Sequence, residues 1–316
     1  MDGNSFATLI FCSHICKTHE LKPLEPGEWN RLEALLSERG LEPSDLLERS
    51  EQELRAALPI DAEYAYRLLR LMDRSNRLTL ALQRYEDLGI SALTRGDPRY
   101  PAILKEKLGK QAPPIFYYAG DPRLLEQPRV GYVGSRNITE EDGAFAADAV
   151  RKTLSQGYGV VSGGARGIDT VAETEALRCG STAAVFLADS LLRRMQKPPI
   201  QDAVQRGKLL LLSVANPDAG FHTAFAMMRN RYIYAQSRAT VVIRADLGKG
   251  GTWQGATDTL KRGWCPLLCR QAPQYPGNTE LIRRGAIPID QTWDGSISVP
   301  QQSSQPQPEQ LSLFDL

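Results

Sequence analysis

Histidine, tryptophan and cysteine are scarce in this 316-residue chain, with three, four and five copies. An odd set of five cysteines argues against a disulfide framework. Cys12, His14, Cys16 and His19 gather near the start and Cys265 and Cys269 near the end, but neither spacing is that of a common structural zinc site. Free buried thiols are therefore expected, with no metal and no cofactor. No histidine or cysteine stands in a nucleophile setting, and His222 is a lone loop residue. Long apolar runs are also missing. The longest, such as Ala183 to Ala188 and Leu209 to Val214, suit a strand and are too short for a bilayer. Thr8 to Phe11 soon meets Cys12, His14 and Cys16, so the start does not read as a signal peptide. A cytoplasmic protein without a membrane partner is expected.

The charge balance hides an asymmetry. Net charge is +1, yet residues 1–130 carry 18 Lys+Arg against 20 Asp+Glu, and residues 131–290 carry 20 against 14. The remainder has three acids and no base. A basic middle between weakly acidic ends fits a polyanion-binding core.

Residues 1–125 read as a helical N-terminal domain and connector. Trp29, Leu32, Leu35 and Leu36 recur at helical spacing, and Ser44 is placed to cap a helix. Tyr64 to Leu82 reads as one long helix. From about residue 126 to 293 the pattern becomes short apolar runs alternating with helical stretches. Val130 to Val133, Val160 to Ser162, Ala183 to Leu187, Leu209 to Val214, Ala239 to Ala245 and Pro266 to Cys269 are strand-like. This order predicts an α/β domain with a mostly parallel sheet flanked by helices. Residues 294–316 are rich in Ser, Gln and Pro and are expected to be a disordered tail.

Two loops carry the chemistry. Gly131-Tyr-Val-Gly134-Ser135-Arg136-Asn137 follows the first strand, and Ser162-Gly163-Gly164-Ala165-Arg166-Gly167-Ile168-Asp169 follows the second. Both fall at the carboxyl edge of a parallel sheet and lead into helices. Glycines let the backbone approach a phosphate, Ser135 offers a hydroxyl, and Arg136 and Arg166 offer charge and a planar fork. Asp169 reads most simply as a helix cap. Phe225-Ala-Met-Met-Arg229-Asn230-Arg231-Tyr232 suits a nucleic-acid strand: arginines bind phosphate, and Phe225 or Tyr232 could stack a base. Lys249, in Gly248-Lys249-Gly250-Gly251-Thr252, is a further phosphate candidate.

Taken in order, these pieces resemble the DprA/Smf family of DNA-processing proteins. The likeness extends upstream to Tyr100-Pro101, Leu104, Pro113-Pro114 and Gly120, and downstream to Asn278, Leu281-Ile282-Arg283 and Gly285-Ala286. It covers roughly residues 95–290. Departures exist. Glu173 stands where the family has a histidine, Gly248 to Trp253 replaces its Ser-Gly-Ser/Thr loop, and the Tyr-Pro after the third strand is missing from Asp189 to Pro199. The residues after 290 do not read as a winged helix.

The resemblance implies an extended Rossmann-like fold that binds single-stranded DNA without altering it. The implied phosphate and DNA contacts are Gly134, Ser135, Arg136, Ser162, Gly163, Gly164, Arg166, Gly167, Phe225, Arg229, Asn230, Arg231, Lys249, Gly250, Gly251 and Thr252. It further implies a homodimer handing DNA to the RecA recombinase, or an antitoxin restraining a toxin encoded nearby in phage defence. Gln310-Leu311-Ser312-Leu313-Phe314 resembles the peptide by which replication and repair proteins dock on the DNA sliding clamp. One alternative is an enzyme. Gly250-Gly251-Thr252 is similar to a loop of nucleotide phosphoribohydrolases, but these need a glutamate where Trp253, Gln254, Gly255 and Ala256 stand.

Overall fold

A computed structural model describes residues 1–16 and 21–297. The expected tail and its clamp-like residues Gln310, Leu311, Leu313 and Phe314 lie outside the described residues.

Nine strands form one sheet: β1 (Ser91–Thr94), β2 (Ile115–Ala119), β3 (Arg129–Val133), β4 (Gly159–Ser162), β5 (Ala183–Leu187), β6 (Leu209–Ser213), β7 (Ala239–Val242), β8 (Leu267–Arg270) and β9 (Ile287–Ile289). Their order is β1-β2-β6-β5-β4-β3-β7-β8-β9. Strands β6 through β9 pair in parallel across that order, whereas β1–β2 and β2–β6 are antiparallel. The six strand-like segments read from the sequence are β3 to β8. The chain runs from β3 outward through β4, β5 and β6, then returns beside β3 as β7. The strand order thus reverses at β3, and the loops leaving β3 and β7 diverge there, the crevice where open α/β sheets hold ligands.

Helices cover both faces. The helices are α1 (Gly3–Cys12), α2 (Pro26–Glu38), α3 (Glu51–Ala57), α4 (Ala62–Met72), α5 (Ser75–Glu86), α6 (Ala102–Leu108), α7 (Glu140–Ser155), α8 (Ile168–Arg178), α9 (Leu191–Met195), α10 (Pro198–Gln205), α11 (Thr223–Gln236), α12 (Gly250–Arg262) and α13 (Pro276–Arg283). Because side chains alternate along a strand, each contributes to two cores. Val130, Tyr132, Val160, Val185 and Val241 join α1 to α5, α7 and α8 in one cluster. Val133, Val161, Phe186, Leu212 and Val242 join α6, α11 and α12 in the other. Among the described residues no helix is long and apolar enough to cross a membrane.

Three local expectations are corrected. Residues 91–119, within the stretch read as helical, supply β1 and β2, whose apolar side chains are buried between the two cores. The long helix expected over Tyr64–Leu82 is two helices, α4 and α5, broken at Asp73 and Arg74. Arg74 turns inward there, its Nε donating to the Ile10 carbonyl at 2.9 Å. Ser44 lies inside a short 3-10 turn, Pro43–Leu46, and Ser50 caps the helix that follows by accepting from the Glu53 amide.

Candidate functional site

Three loops at the carboxyl edge surround a cleft of about 540 Å³. The loop after β3 supplies Gly134, Ser135, Arg136 and Asn137; the loop after β4 supplies Ala165, Arg166 and Asp169; the segment after β7 supplies Arg244, Asp246, Lys249, Gly250, Gly251 and Thr252. Helix α11 closes one side with Thr223, Ala226, Met227, Arg229, Asn230 and Tyr234.

Tight packing fixes the first two loops against each other. The carbonyl of Ser135 accepts from the Ile168 amide at 3.4 Å, and Gly167 lies against that same carbonyl with φ +84°. A side chain at 167 would be strained and would overlap the Ser135 backbone. Ser135 Oγ accepts from the Asn137 amide at 3.1 Å, and Asn137 Oδ1 accepts from Arg166 Nη2 at 3.1 Å. Arg136 and Arg166 are exposed. The Arg136 guanidinium lies 5.6 Å from the ring centre of Phe221, itself 55% exposed at the cleft mouth.

Below them sits a buried pair. Arg229 Nη1 lies 3.4 Å from Asp169 Oδ2, and Asp169 also accepts from the Ala165 amide at 3.3 Å. Gly163 makes room for this arrangement, because a methyl group there would overlap the Arg229 guanidinium. Burial pushes the Asp169 carboxyl above its usual range, while Arg229 and the Ala165 and Gly163 amides pull it back. Burial likewise weakens the hold of Arg229 on its proton, and Asp169 opposes that. Asp169 is thus not the helix cap expected from its position. It sits in the first turn of α8, behind Gly167, and its carboxylate serves the loop and Arg229.

The third loop starts α12 without a side-chain cap at Lys249, leaving the first-turn amides of the helix without that partner. Asn230 Nδ2 donates to the Gly251 carbonyl at 3.1 Å, and the Tyr234 hydroxyl donates to the Thr252 carbonyl at 3.2 Å, so α11 fixes this loop. Arg244 lines the cleft but leans on buried Asp142 at 3.4 Å and on the Tyr275 ring at 4.7 Å.

The structure thus gathers Gly134, Ser135, Arg136, Arg166, Arg229, Asn230, Lys249, Gly250, Gly251 and Thr252 around one cleft. Ser162, Gly163, Gly164 and Gly167 stand behind its lining. Ser162 is fully buried and its Oγ accepts from the Gly164 amide at 3.4 Å. Two side chains go elsewhere. Phe225 faces a separate crevice with Cys12, His14 and Met228, and Arg231, half-buried, is not part of the cleft lining. Tyr232 is 2% exposed and meets Phe116 edge-on, so it belongs to the core and cannot stack a base. Glu173, the histidine replacement, pairs with Arg194 on α9. Sequence reasoning missed Phe221, Met227, Tyr234 and Arg244. Only Phe221 carried a signal, as an apolar residue beside glycine in a loop.

The family model for DNA recombination-mediator protein A matches residues 91–298. DNA processing protein DprA of Bacillus subtilis (strain 168) is 25% identical over 234 residues, covering 72% of this chain and 78% of that protein. The structure of DprA from Streptococcus pneumoniae superposes with a TM-score of 0.70 at 20% identity, covering 92% of this chain and 95% of that one. DNA processing protein A from Helicobacter pylori superposes with a TM-score of 0.52 at 27% identity, covering 63% of this chain and 90% of that one. With more than half of its length under that family model, the chain belongs to the DNA recombination-mediator protein A family.

Proposed function

We propose that this chain binds single-stranded DNA across the carboxyl edge of its sheet and leaves the DNA chemically unchanged. One observation carries the reading: exposed Arg136, Arg166 and Lys249, one from each loop, converge on a cleft whose mouth holds the exposed ring of Phe221 and thioether of Met227. Guanidinium and ammonium groups bind the strand's phosphates, and the α12 amides add a further anion contact. A single strand can offer an unstacked base to Phe221, which duplex DNA cannot. The structure solved for the Helicobacter pylori protein concerns a single-stranded DNA binding mode, which supports the same reading here.

The test is fluorescence anisotropy with single- and double-stranded oligonucleotides over a salt series. Preference for the single strand is expected, and equal affinity for both forms at moderate salt rejects the stacking part of the reading.

Catalysis is the weaker alternative. The one carboxylate deep in the cleft, Asp169, is committed to Arg229 and the Ala165 amide. Trp253, where a phosphoribohydrolase needs its acid near, is 8% exposed beneath the Arg284 guanidinium. Release of free base from nucleotides tests this directly. For partners, we infer from the family a homodimer that hands DNA to RecA, with restraint of a toxin encoded nearby as the other cellular role. Co-purification with each partner separates the two.

A further inference from the structure

We propose a second, separate anion site in the helical region, built by Arg70, Arg74 and Arg77 at the junction of α4 and α5, which takes the phosphate of a nucleotide. The cavity there is about 380 Å³, within the size range of small-molecule sites. Arg74 anchors it at 2% exposure. Its Nε and Nη2 donate to the Leu9 and Ile10 carbonyls at the C-terminal end of α1, where a cation is favoured. Its Nη1 is buried and has no partner among the described residues.

Arg229 also has a buried nitrogen without a partner among the described residues, its Nε, so what sets Arg74 apart is its lack of a paired carboxylate among them. Arg129 spends all three nitrogens on the Leu124, Val160 and Thr182 carbonyls and the Thr182 hydroxyl. Arg229 and Arg270 each face a carboxylate. Arg74 makes no ion pair among the described residues, yet it opens onto a cavity. Burial weakens its hold on its proton, the cost an incoming anion would offset. Arg77 is exposed on the same cavity, and Arg70 is shared with Asp73 at 2.8 Å. Among the described residues of the lining, three guanidinium groups against one carboxylate leave a positive excess with the fork geometry that phosphate oxygens match. At the rim, Tyr66 is 57% exposed and offers its ring to a base. A phosphate on the arginines and a base on Tyr66 describe a nucleotide, either free or within a strand.

This site does not rest on the cleft reading, and the test keeps the two apart. The full chain carrying Arg136→Ala, Arg166→Ala, Phe221→Ala and Lys249→Ala silences the cleft, because it lacks every exposed side chain assigned a DNA contact there. Equilibrium dialysis then measures binding of adenosine 5′-monophosphate, of adenosine, and of a five-nucleotide thymidylate. The expected result is that this chain still binds a phosphate-bearing probe and not adenosine. Adding Arg70→Ala and Arg77→Ala weakens that binding about tenfold per arginine, the loss of one charge-assisted hydrogen bond. Arg74 is left in place because it holds the end of α1, and circular dichroism checks that the surface variants fold. Tighter binding of the thymidylate than of the mononucleotide assigns the phosphate to a strand, and the reverse assigns it to a free nucleotide. If the cleft-silenced chain binds neither probe, or if the Arg70 and Arg77 substitutions leave binding unchanged, the site is overturned.

Discussion

Arg229 and Asp169 face each other at 3.4 Å with both side chains under a tenth exposed, directly beneath the loops that offer Arg136 and Arg166 to solvent. Arg229 is therefore a floor for the cleft before it is a contact for DNA. Its guanidinium occupies the space that Gly163 leaves open, so the glycine, the arginine and the aspartate form one unit.

Removing the aspartate should expose that dependence. Asp169→Ala leaves a buried guanidinium without its counter-charge, which costs about 3–5 kcal/mol in comparable buried pairs. Urea unfolding should show the loss, with Arg136→Ala as a surface control within about 0.5 kcal/mol of the parent. A stability change under 1 kcal/mol for Asp169→Ala, roughly the scale of an exposed pair, would mean the pair is spectator to the fold.

Gly163→Ala should act through Arg229. The added methyl needs the volume the guanidinium fills, so the arginine must move or the β4 loop must shift. Overpacking of this kind costs about 1–3 kcal/mol, and DNA affinity should fall as the loop is displaced. Thermal unfolding and anisotropy on the same sample check both effects; unchanged values in both would refute the packing argument.

For the exposed cations the expectation is different. Arg136→Ala and Arg166→Ala should weaken single-stranded DNA binding without unfolding the chain. Each lost phosphate contact reduces the salt slope by about 0.7. Variants that keep the parent slope would show that these arginines do not touch the DNA backbone.

Phe221 and Phe225 make a paired test, since the sequence favoured one and the structure favours the other. Phe221→Ala removes the ring at the cleft mouth and should cost about 1–3 kcal/mol of single-strand affinity by lost stacking. Phe225→Ala, in its separate crevice, should leave DNA affinity unchanged. The reverse ranking would sink the assignment of the cleft mouth.

Acid stability should depend on Glu175. Arg178, and then Arg151, hold its carboxyl at about 2 against an ordinary value of 4.5. A depressed folded value means stability that is fully present above about 4.5 and lost as pH falls toward about 2. Its arginine partners are largely solvent-facing, so the contribution is expected to stay near or below about 1 kcal/mol. Glu175→Gln should flatten that acid limb in unfolding curves, and a limb of unchanged steepness would assign it to other carboxylates.

The β3 to β8 pattern was legible because a buried parallel strand must be an unbroken apolar run, and short loops with Gly, Ser and Arg can follow it only at one edge. The same logic marked Gly134 to Arg136, Ala165 to Gly167 and Lys249 to Thr252, whose chemistry is local. Strands β1 and β2 were not legible, since a short segment beside helices becomes a strand only when β6 offers it an edge to pair with. The direction of a helical side chain is likewise settled by what the helix packs against. Along α11, that packing sends Asn230 and Tyr234 to the cleft, Phe225 to another crevice and Tyr232 to the core. Charge pairing is a matter of distance in space, so nothing in the order of residues tied Arg229 to Asp169, 60 positions earlier. The sequence by itself determined the sheet's central strands and the anion-binding loops, because those depend on neighbours in the chain. Only the tertiary structure decided which arginines are free for a ligand and which are held by a buried acid.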